Sequence, residues 1–205
     1  MKKMKKIILS ALLISLILVG CKKVEDPKVE DPKVEDPIIS PGAEVQINIP
    51  DSTFKAILVA DSNINKNGDG DISTTEASSF TGAINCQNSD VENAEGIQYF
   101  VNVTRIIFFN SKLDSIDLSK NTKVTQLLLE ENRLESIDIS ALSVLTDFKC
   151  HSNQLTEANL ANGNNANMTR MEIQLNSNLT CIKVDALSTP SAWLKDSTAS
   201  YNTDC

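Results

Sequence analysis

Oxygen-bearing side chains recur along the segment 65–76, and their spacing favours the binding of a hard metal ion. The segment reads NKNGDGDISTTE, with Gly70 at the point where the chain has to turn with a positive φ. A calcium ion takes about six to eight oxygen ligands, so a loop that brings alternate side chains to one point can hold it. The oxygen-bearing residues at this spacing are Asn65, Asn67, Asp69, Asp71, Ser73 and Glu76.

This segment resembles the calcium loop of the EF-hand family. The resemblance implies that side-chain oxygens of Asn65, Asn67 and Asp69 bind the ion, together with the backbone carbonyl of Asp71 and a water molecule held by Ser73. It also implies that Glu76, at the last position, binds the ion with both oxygens and that Ile72 packs inward. Asn65 stands where the family prefers aspartate, so only Asp69 and Glu76 bring side-chain charge directly to the ion. We therefore expect a weak, structural calcium site with a dissociation constant of about 10⁻⁴ to 10⁻³ M. The alternative is an Asn- and Gly-rich turn that binds no ion.

Other residue types that carry chemistry are sparse, and their scarcity argues against an enzyme. The chain has one histidine, His151, and it contains neither the G-x-S-x-G motif of hydrolases nor the H-E-x-x-H motif of zinc proteases. Its 27 acidic residues outnumber 19 basic ones, for a net charge of −8. Nucleic acid is therefore not an expected partner, because phosphate binding needs a basic face. We expect a binding module without catalytic activity.

A basic start and a short apolar run precede Cys21. The run covers residues 7–19, which is too short to cross a hydrocarbon core of about 30 Å, and the pattern is typical of a secretion signal. Residues 18–21, LVGC, resemble the lipobox of bacterial lipoproteins. That resemblance implies that the signal is removed before Cys21 and that Cys21 carries acyl chains that anchor the protein to a membrane. The alternative is an ordinary signal with an incidental cysteine.

Three copies of the sequence KVEDP follow, from residue 23 to residue 37. A proline at every fifth position with charges between cannot build a core, so this stretch predicts an extended linker. Its charged residues, close to Cys21, resemble the surface-export signals of Bacteroidetes-type lipoproteins. The localisation that this implies is the cell envelope, as an outer-membrane lipoprotein facing the periplasm or exposed at the surface.

The main body of the chain repeats itself about every 21 residues. The stretch TRIIFFNSKLDSIDLS at 104–119 matches TQLLLEENRLESIDIS at 125–140, and further copies begin at Thr146 and Thr169. This spacing resembles the leucine-rich repeat, in which each copy supplies one short strand whose inward residues stack on those of its neighbours. The resemblance implies a ladder of buried amides at the asparagine position of the repeat, which Asn132, Asn153 and Asn176 occupy.

The predicted fold class is an α+β repeat, namely a short leucine-rich-repeat solenoid with stacked short strands, a small helical N-terminal cap and a C-terminal cap. The helix of the first cap begins near Asp51 or Ser52, either of which can cap it. The whole pattern looks like that of small flavobacterial leucine-rich-repeat lipoproteins. The predicted segments are a signal peptide at 1–20, the lipidated cysteine and linker at 21–42, the N-terminal cap with its calcium-type loop at 43–81, the repeats at 82–185 and the C-terminal cap at 186–205.

The repeat separates the cysteines into two kinds. Cys86 and Cys150 occupy the same inward position three repeats apart, or about 14 Å at the spacing of strands, whereas a disulfide needs Cα atoms within about 7 Å. They are predicted to be core residues. Cys181 and Cys205 remain, and we expect them to form a disulfide that holds the tail with Trp193 over the end of the solenoid.

The residues between the inward ones on each strand are predicted to form a concave binding face. Three of them, Ile107, Phe109 and Leu128, are expected to make an exposed apolar cluster, which is typical of contact sites. The predicted face consists of Ile107, Phe109, Leu128, Glu130, Lys149, His151, Glu172 and Gln174. We expect protein recognition or adhesion through it, the alternative being a structural envelope lipoprotein without a specific soluble ligand. The sequences Asp-Ser-Thr at 51–53 and 196–198 resemble a short O-glycosylation motif, which implies a glycan.

Overall fold

The computed structural model describes residues 44–187 and 192–205. Two short α-helices come first, α1 (Ser52–Ala60) and α2 (Thr74–Ser79), and neither has the length and apolar character needed to cross a membrane. The strands that follow are β1 (Ala83–Asn85), β2 (Arg105–Ile107), β3 (Gln126–Leu128), β4 (Ser136–Asp138), β5 (Asp147–Lys149), β6 (Glu157–Asn159), β7 (Arg170–Glu172), β8 (Cys181–Lys183) and β9 (Ser200–Asn202). The predicted signal peptide, the lipidation of Cys21 and the linker lie outside the described residues.

The strands form two parallel sheets, because the turns that begin at β3, β5 and β7 each contribute one strand to the first sheet and a second strand, β4, β6 or β8, to the other. The first sheet has the order β1-β2-β3-β5-β7, and the second has the order β4-β6-β8-β9. In the first sheet Ile106 pairs with Leu127, and Leu127 pairs with Phe148, so the chain advances by 21 residues in each of these turns. The repeat period is thereby confirmed, and the chain is a β-solenoid with little helix.

The second sheet corrects the expectation of one strand per repeat. It is built from segments in which apolar and polar residues alternate, such as Ile137-Asp138-Ile139, where both isoleucines are buried and the aspartate is exposed. Three-residue strands of this kind give too short a pattern to separate from a loop. Both described α-helices precede the first strand, and the turns contain β-strands and two short 3₁₀ helices, Ile97–Tyr99 and Asn165–Asn167. The α+β class that we expected is therefore not confirmed.

The inward residues of both sheets form one continuous hydrophobic core. Phe108, Leu127 and Phe148 are fully buried in successive turns of it. Burial of each such side chain stabilises the fold by about 1.5–3 kcal/mol relative to leaving it exposed. Helix α1 joins the same core, because Phe54 packs against Phe108 with ring centroids 5.7 Å apart.

Buried asparagines tie the turns together as predicted. The Asn132 side-chain oxygen accepts a hydrogen bond from the Leu113 N–H at 3.0 Å, and its amide nitrogen donates to the Phe108 carbonyl of the preceding turn at 2.6 Å. Asn153 and Asn176 make the equivalent bonds in the following turns. Serines take this place in the two earlier turns, and they are Ser89 and Ser111. Because buried polar groups are costly when unpaired, this ladder fixes the register of the turns.

The solenoid continues beyond the boundary predicted at residue 185. Leu194 donates its N–H to the Met171 carbonyl at 2.8 Å and accepts from the Ile173 N–H at 2.9 Å, which adds a rung to the first sheet. Strand β9 extends the second sheet by pairing with β8. The described part of the tail is therefore a further turn of the same solenoid, and its role as a cap stays a prediction.

The cysteines are arranged as predicted. Cys181 and Cys205 form a disulfide with an S–S distance of 1.98 Å and Cα atoms 6.1 Å apart. Cys86 and Cys150 are buried free thiols. Burial raises the pKa of the Cys86 thiol to about 12, which makes this cysteine an unreactive core residue.

Candidate functional site

The calcium-type loop is closed by its own hydrogen bonds, and these engage the carboxylate that an ion would need. Glu76 is 4% exposed. One of its oxygens accepts from the N–H groups of Lys66 and Asn67, at 2.9 and 3.3 Å. The other accepts from the N–H and the hydroxyl of Ser73, both at 2.9 Å, and the Ser73 hydroxyl accepts from the Glu76 N–H in return. Glu76 and Ser73 thus form the capping box of α2.

The other predicted ligands are engaged in the same way. The Asn65 side-chain oxygen accepts from the Gly68 N–H at 3.0 Å, and Asn67 and Asp69 each accept from an N–H two residues further on. Asp71 pairs with Lys55 of α1. Within the described residues there is no group of three acidic, histidine or cysteine side chains that could hold a metal ion.

In this conformation the side-chain oxygens that the calcium prediction assigns to the ion accept hydrogen bonds within the loop. Burial by itself raises the pKa of Glu76, but its hydrogen bonds with Ser73, Asn67 and Lys66 outweigh that effect and hold the pKa below its usual value. The ionised carboxylate is the centre around which the loop folds. Calcium binding stays a prediction, and it would require the loop to exchange these internal bonds for metal ligands.

The outer side of the first sheet, which we call the strand face, presents three columns of side chains that run across the turns. The first column consists of Arg105, Gln126, Asp147 and Arg170. The second column consists of Ile107, Leu128, Lys149 and Glu172. The third column, just beyond the strand ends, consists of Phe109, Glu130, His151 and Gln174. All residues predicted to bind a partner lie in the second and third columns, so the structure brings them together.

The first column is a chain of hydrogen bonds that the repeat pattern did not predict. Arg105 donates to the Gln126 side-chain oxygen at 2.6 Å, and Gln126 donates to the Asp147 carboxylate. Arg170 binds that carboxylate from the other side through two nitrogens. Burial raises the pKa of Asp147, but Arg170 and Gln126 outweigh it and lower the pKa overall. These bonds link the side chains of the column from one turn to the next.

The second column corrects the prediction of an exposed apolar cluster. Ile107 is only 6% exposed, because it lies in register between Asn85 and Leu128 on the neighbouring strands. Phe109 and Leu128 are partly buried and still reach the surface. At the other end of the column, Lys149 and Glu172 form an ion pair with nitrogen and oxygen 3.5 Å apart.

The third column contains two buried oxygens without a hydrogen-bond donor, and sequence reasoning missed both. Glu130 was predicted to face a partner, but it is only 7% exposed, and one of its carboxylate oxygens has no partner among the described residues. The same is true of the Gln174 side-chain oxygen, two turns further on. Burial raises the pKa of Glu130, and the nearby Lys149 and His151 only partly offset that effect.

The backbone bends at a corner immediately after the third column, and this corner fixes the column in place. The residue at the corner has a positive φ between 50° and 59° in five successive turns, and these residues are Asn88, Asn110, Glu131, Ser152 and Leu175. Such values are uncommon for residues other than glycine. In the first four of these turns the N–H at the corner donates to the carbonyl of the third-column residue in the next turn, as from Glu131 to His151 at 3.0 Å. The Leu175 N–H donates to the Asp196 carboxylate at 3.0 Å instead.

A shallow cavity of about 390 Å³ lies on the second sheet. Asp138, Glu157 and Lys183 line it together with the Cys181–Cys205 disulfide. The repeat pattern did not predict this feature, because it gave no strands on that side of the molecule. The cavity is lined by both acidic and basic side chains.

Comparisons with known proteins show similarity to part of the chain. The sequence matches no protein-family model and no curated protein. The functional domain of InlJ from Listeria monocytogenes, described as including a cysteine ladder, is 22% identical with a TM-score of 0.47, over 69% of this chain and 39% of that chain. An internalin of the same species, InlF, is 18% identical with a TM-score of 0.49, over 69% of this chain and 46% of that chain. The matched region spans less than half of either of those two chains.

Proposed function

We propose that the chain is a protein-recognition or adhesion module that binds its partner through the second and third columns of the strand face. The observation that carries the proposal is the combination of partly buried apolar side chains, Phe109 and Leu128, with unpaired buried oxygens on Glu130 and Gln174. Protein interfaces typically place apolar contacts beside a few polar groups that need a partner. Stacked strands hold such groups in fixed positions, which lowers the entropic cost of binding.

Paired substitutions test this face. We expect Phe109→Ala combined with Leu128→Ala to weaken capture of the partner, measured with purified protein against native envelope, at least tenfold. Ile107 is left intact, because its side chain is buried and its loss would disturb the fold. The matched control is Val144→Ala, an apolar residue that is 43% exposed in a turn away from the face. Equal capture by the double variant and the wild type would refute the assignment of this face.

The same proposal includes a lipid anchor in the cell envelope, supported by the lipobox-like residues 18–21. We expect Cys21→Ala to release the protein from the membrane fraction and to abolish incorporation of labelled palmitate. Digestion of intact cells with protease then distinguishes surface exposure from a periplasm-facing location. Membrane association that survives Cys21→Ala would remove lipidation from the proposal.

Two other functions have less support. A structural envelope protein predicts no saturable partner, so saturable capture from envelope separates it from the binding module. A hydrolase of the serine class would use His151, the one histidine of the chain, whose ring nitrogen lies 3.1 Å from the Ser152 hydroxyl. Among the described residues no carboxylate bonds to that histidine, and this carboxylate is the third member of the usual catalytic group. Hydrolysis of ester or peptide substrates by purified protein, lost in Ser152→Ala, would overturn our preference.

We further propose that residues 44–81 cap the first turn of the solenoid. The support is the packing of Phe54 on Phe108 and the anchoring of the helix by Asp51. A solenoid needs such a cap, because its first turn would otherwise expose the core.

A further inference from the structure

We propose that Phe109 and Glu130 bind a cationic side chain of a protein partner, a guanidinium or ammonium group, and that Gln174 accepts a second hydrogen bond from the same partner. This inference rests on the proposed function, and it names the chemistry of the partner group. Its basis is a buried carboxylate oxygen that nothing in the described part of the chain satisfies.

The state of Glu130 is unusual for a folded protein. A buried carboxylate without full pairing destabilises the fold, so buried charges are normally paired and hydrogen-bonded. The nearest candidate cation in the second column, Lys149, forms its ion pair with Glu172 instead. Within residues 44–187 and 192–205, no ion pair includes Glu130. The carboxylate therefore remains available to a donor from outside.

The neighbours of Glu130 favour a cation over a neutral donor. Phe109 occupies the same column position one turn away, about 4.8 Å along the stack, so a cation bound at Glu130 lies within reach of the aromatic ring. The third column contains no lysine or arginine, and the chain as a whole carries a net charge of −8. A hydroxyl or amide would satisfy the oxygen but bring no positive charge to add to that of Lys149 nearby. A guanidinium supplies both the charge and several donors.

Gln174 adds a second point of contact. Its unpaired oxygen lies two turns from Glu130, or about 10 Å along the stack, which is a distance that neighbouring side chains of one partner span. His151 lies between the two, and Phe109 lies on the far side of Glu130. Both rings are partly buried and have to rotate to admit the partner, as interface side chains commonly do on binding.

The test uses N-acetyl-arginine amide as the probe and N-acetyl-citrulline amide as its neutral isostere. Titration of ¹⁵N-labelled protein should shift the backbone amide resonances of Phe109 and Glu130, with the arginine probe binding at least tenfold more tightly than the citrulline probe. Glu130→Gln, which keeps the shape and removes the charge, should abolish that preference. The control is Glu157→Gln, an exposed acidic residue on the second sheet, which should keep it.

Equal binding of the two probes, shifts that map elsewhere, or an arginine preference that survives Glu130→Gln would each overturn the inference. Failure of this inference can be distinguished from failure of the proposed function. If the probe fails while Phe109→Ala with Leu128→Ala still abolishes capture, the face binds a partner by another chemistry. If capture is unaffected by that pair, the proposed function itself is wrong.

Discussion

Two buried glutamates in this chain have opposite surroundings, and the difference separates a structural residue from a functional candidate. Glu76 accepts hydrogen bonds at both oxygens, so its charged form is stabilised and its pKa is lowered. Glu130 has an oxygen without a donor among the residues that the structure describes, and its pKa is raised by burial. Because a pKa that changes on folding links stability to pH, the two residues predict opposite effects of acid.

Replacing Glu76 with glutamine should destabilise the protein by about 1–3 kcal/mol at pH 7, because hydrogen bonds to a charged acceptor are lost. The native pKa lies below the usual 4.5, so this stabilisation is full above pH 4.5 and is lost as the pH falls through the native pKa. Urea denaturation in EDTA at several pH values measures the difference in the free energy of unfolding between the wild type and the variant. If the wild type instead gains thermal stability with millimolar calcium, and the variant does not, the loop binds the ion after all.

Replacing Glu130 with glutamine should leave the thermal midpoint at pH 7 unchanged or raise it. The native pKa is raised above the unfolded value, so the wild-type residue costs stability as the pH rises through the range between the two. The groups that face it are Lys149, His151 and Glu172, and they remain in the variant. Any increase in the thermal midpoint of the variant over the wild type should therefore shrink as the pH is lowered towards 4, because the wild-type carboxylate is then protonated. A clearly lower midpoint at pH 7 would mean that Glu130 supports the fold.

The surroundings of individual residues were only partly predictable from the sequence. The position of Asn132 and its equivalents follows from the period, because every turn repeats the same environment. The inward cysteines, Cys86 and Cys150, follow for the same reason. The state of Glu130 does not follow, because it depends on which donors the neighbouring turns happen to supply, and sequence spacing contains no such information.

At the scale of the element, one carboxylate joins α1 to the first turn of the solenoid. One oxygen of Asp51 accepts from the N–H groups of Thr53 and Phe54, both at 2.9 Å, and caps the helix. The other accepts from the N–H groups of Glu92 and Asn93, at 2.8 and 3.1 Å. The helix is therefore fixed to the repeats by the residue that begins it.

Asp51→Ala should lower the free energy of unfolding by about 1–3 kcal/mol, since it removes a helix cap and leaves N–H groups without partners. Hydrogen exchange should quicken in α1 before it quickens in the sheets. Ser52→Ala is the matched control, because Ser52 is exposed and its side chain makes no such bond. Unchanged exchange in α1 would show that Phe54 and the core hold the helix without this cap.

A strand could be predicted from the sequence only where its apolar pattern recurred over several turns. The strands of the first sheet stand out because Ile106, Leu127 and Phe148 recur at a constant interval, each followed two positions later by a second inward residue, namely Phe108, Leu129 or Cys150. The second sheet was missed, because three residues with one alternation do not distinguish a strand from a loop. The capping residue of α1 was among the two that we considered, and Asp51 is the one that caps it.

At the scale of the whole molecule, the Cys181–Cys205 disulfide closes a loop that contains the last rungs of both sheets, with 24 residues of sequence separation. Replacing both cysteines with serine (Cys181→Ser with Cys205→Ser) should lower the free energy of unfolding by about 3 kcal/mol, because the unfolded chain gains conformational freedom. Pairing at β9 should be lost first, visible as faster hydrogen exchange there. Reduced wild type provides the control and should match the double variant. If the denaturation midpoint is the same with and without reductant, the disulfide does not determine the stability of this end.

The extent of the solenoid could not be predicted from the repeat alone. The period breaks down after residue 185, and Trp193 and Tyr201 suggested a separate tail. In the structure Trp193 is buried, and its ring packs edge-on against Tyr201 with centroids 5.9 Å apart. These large side chains fill the last turn of the core and allow a degenerate sequence to continue the same backbone path.

The corner after the third column has a consequence for how this scaffold can be varied. Five successive turns place asparagine, asparagine, glutamate, serine and leucine there with nearly the same φ. The backbone path at that point is therefore set by the hydrogen bonds between turns, and the identity of the corner residue is free to differ. Leu175, 65% exposed, shows that even a bulky apolar side chain is accepted. The corners are thus exchangeable display positions beside the binding columns, where a new specificity can be grafted without rebuilding the scaffold.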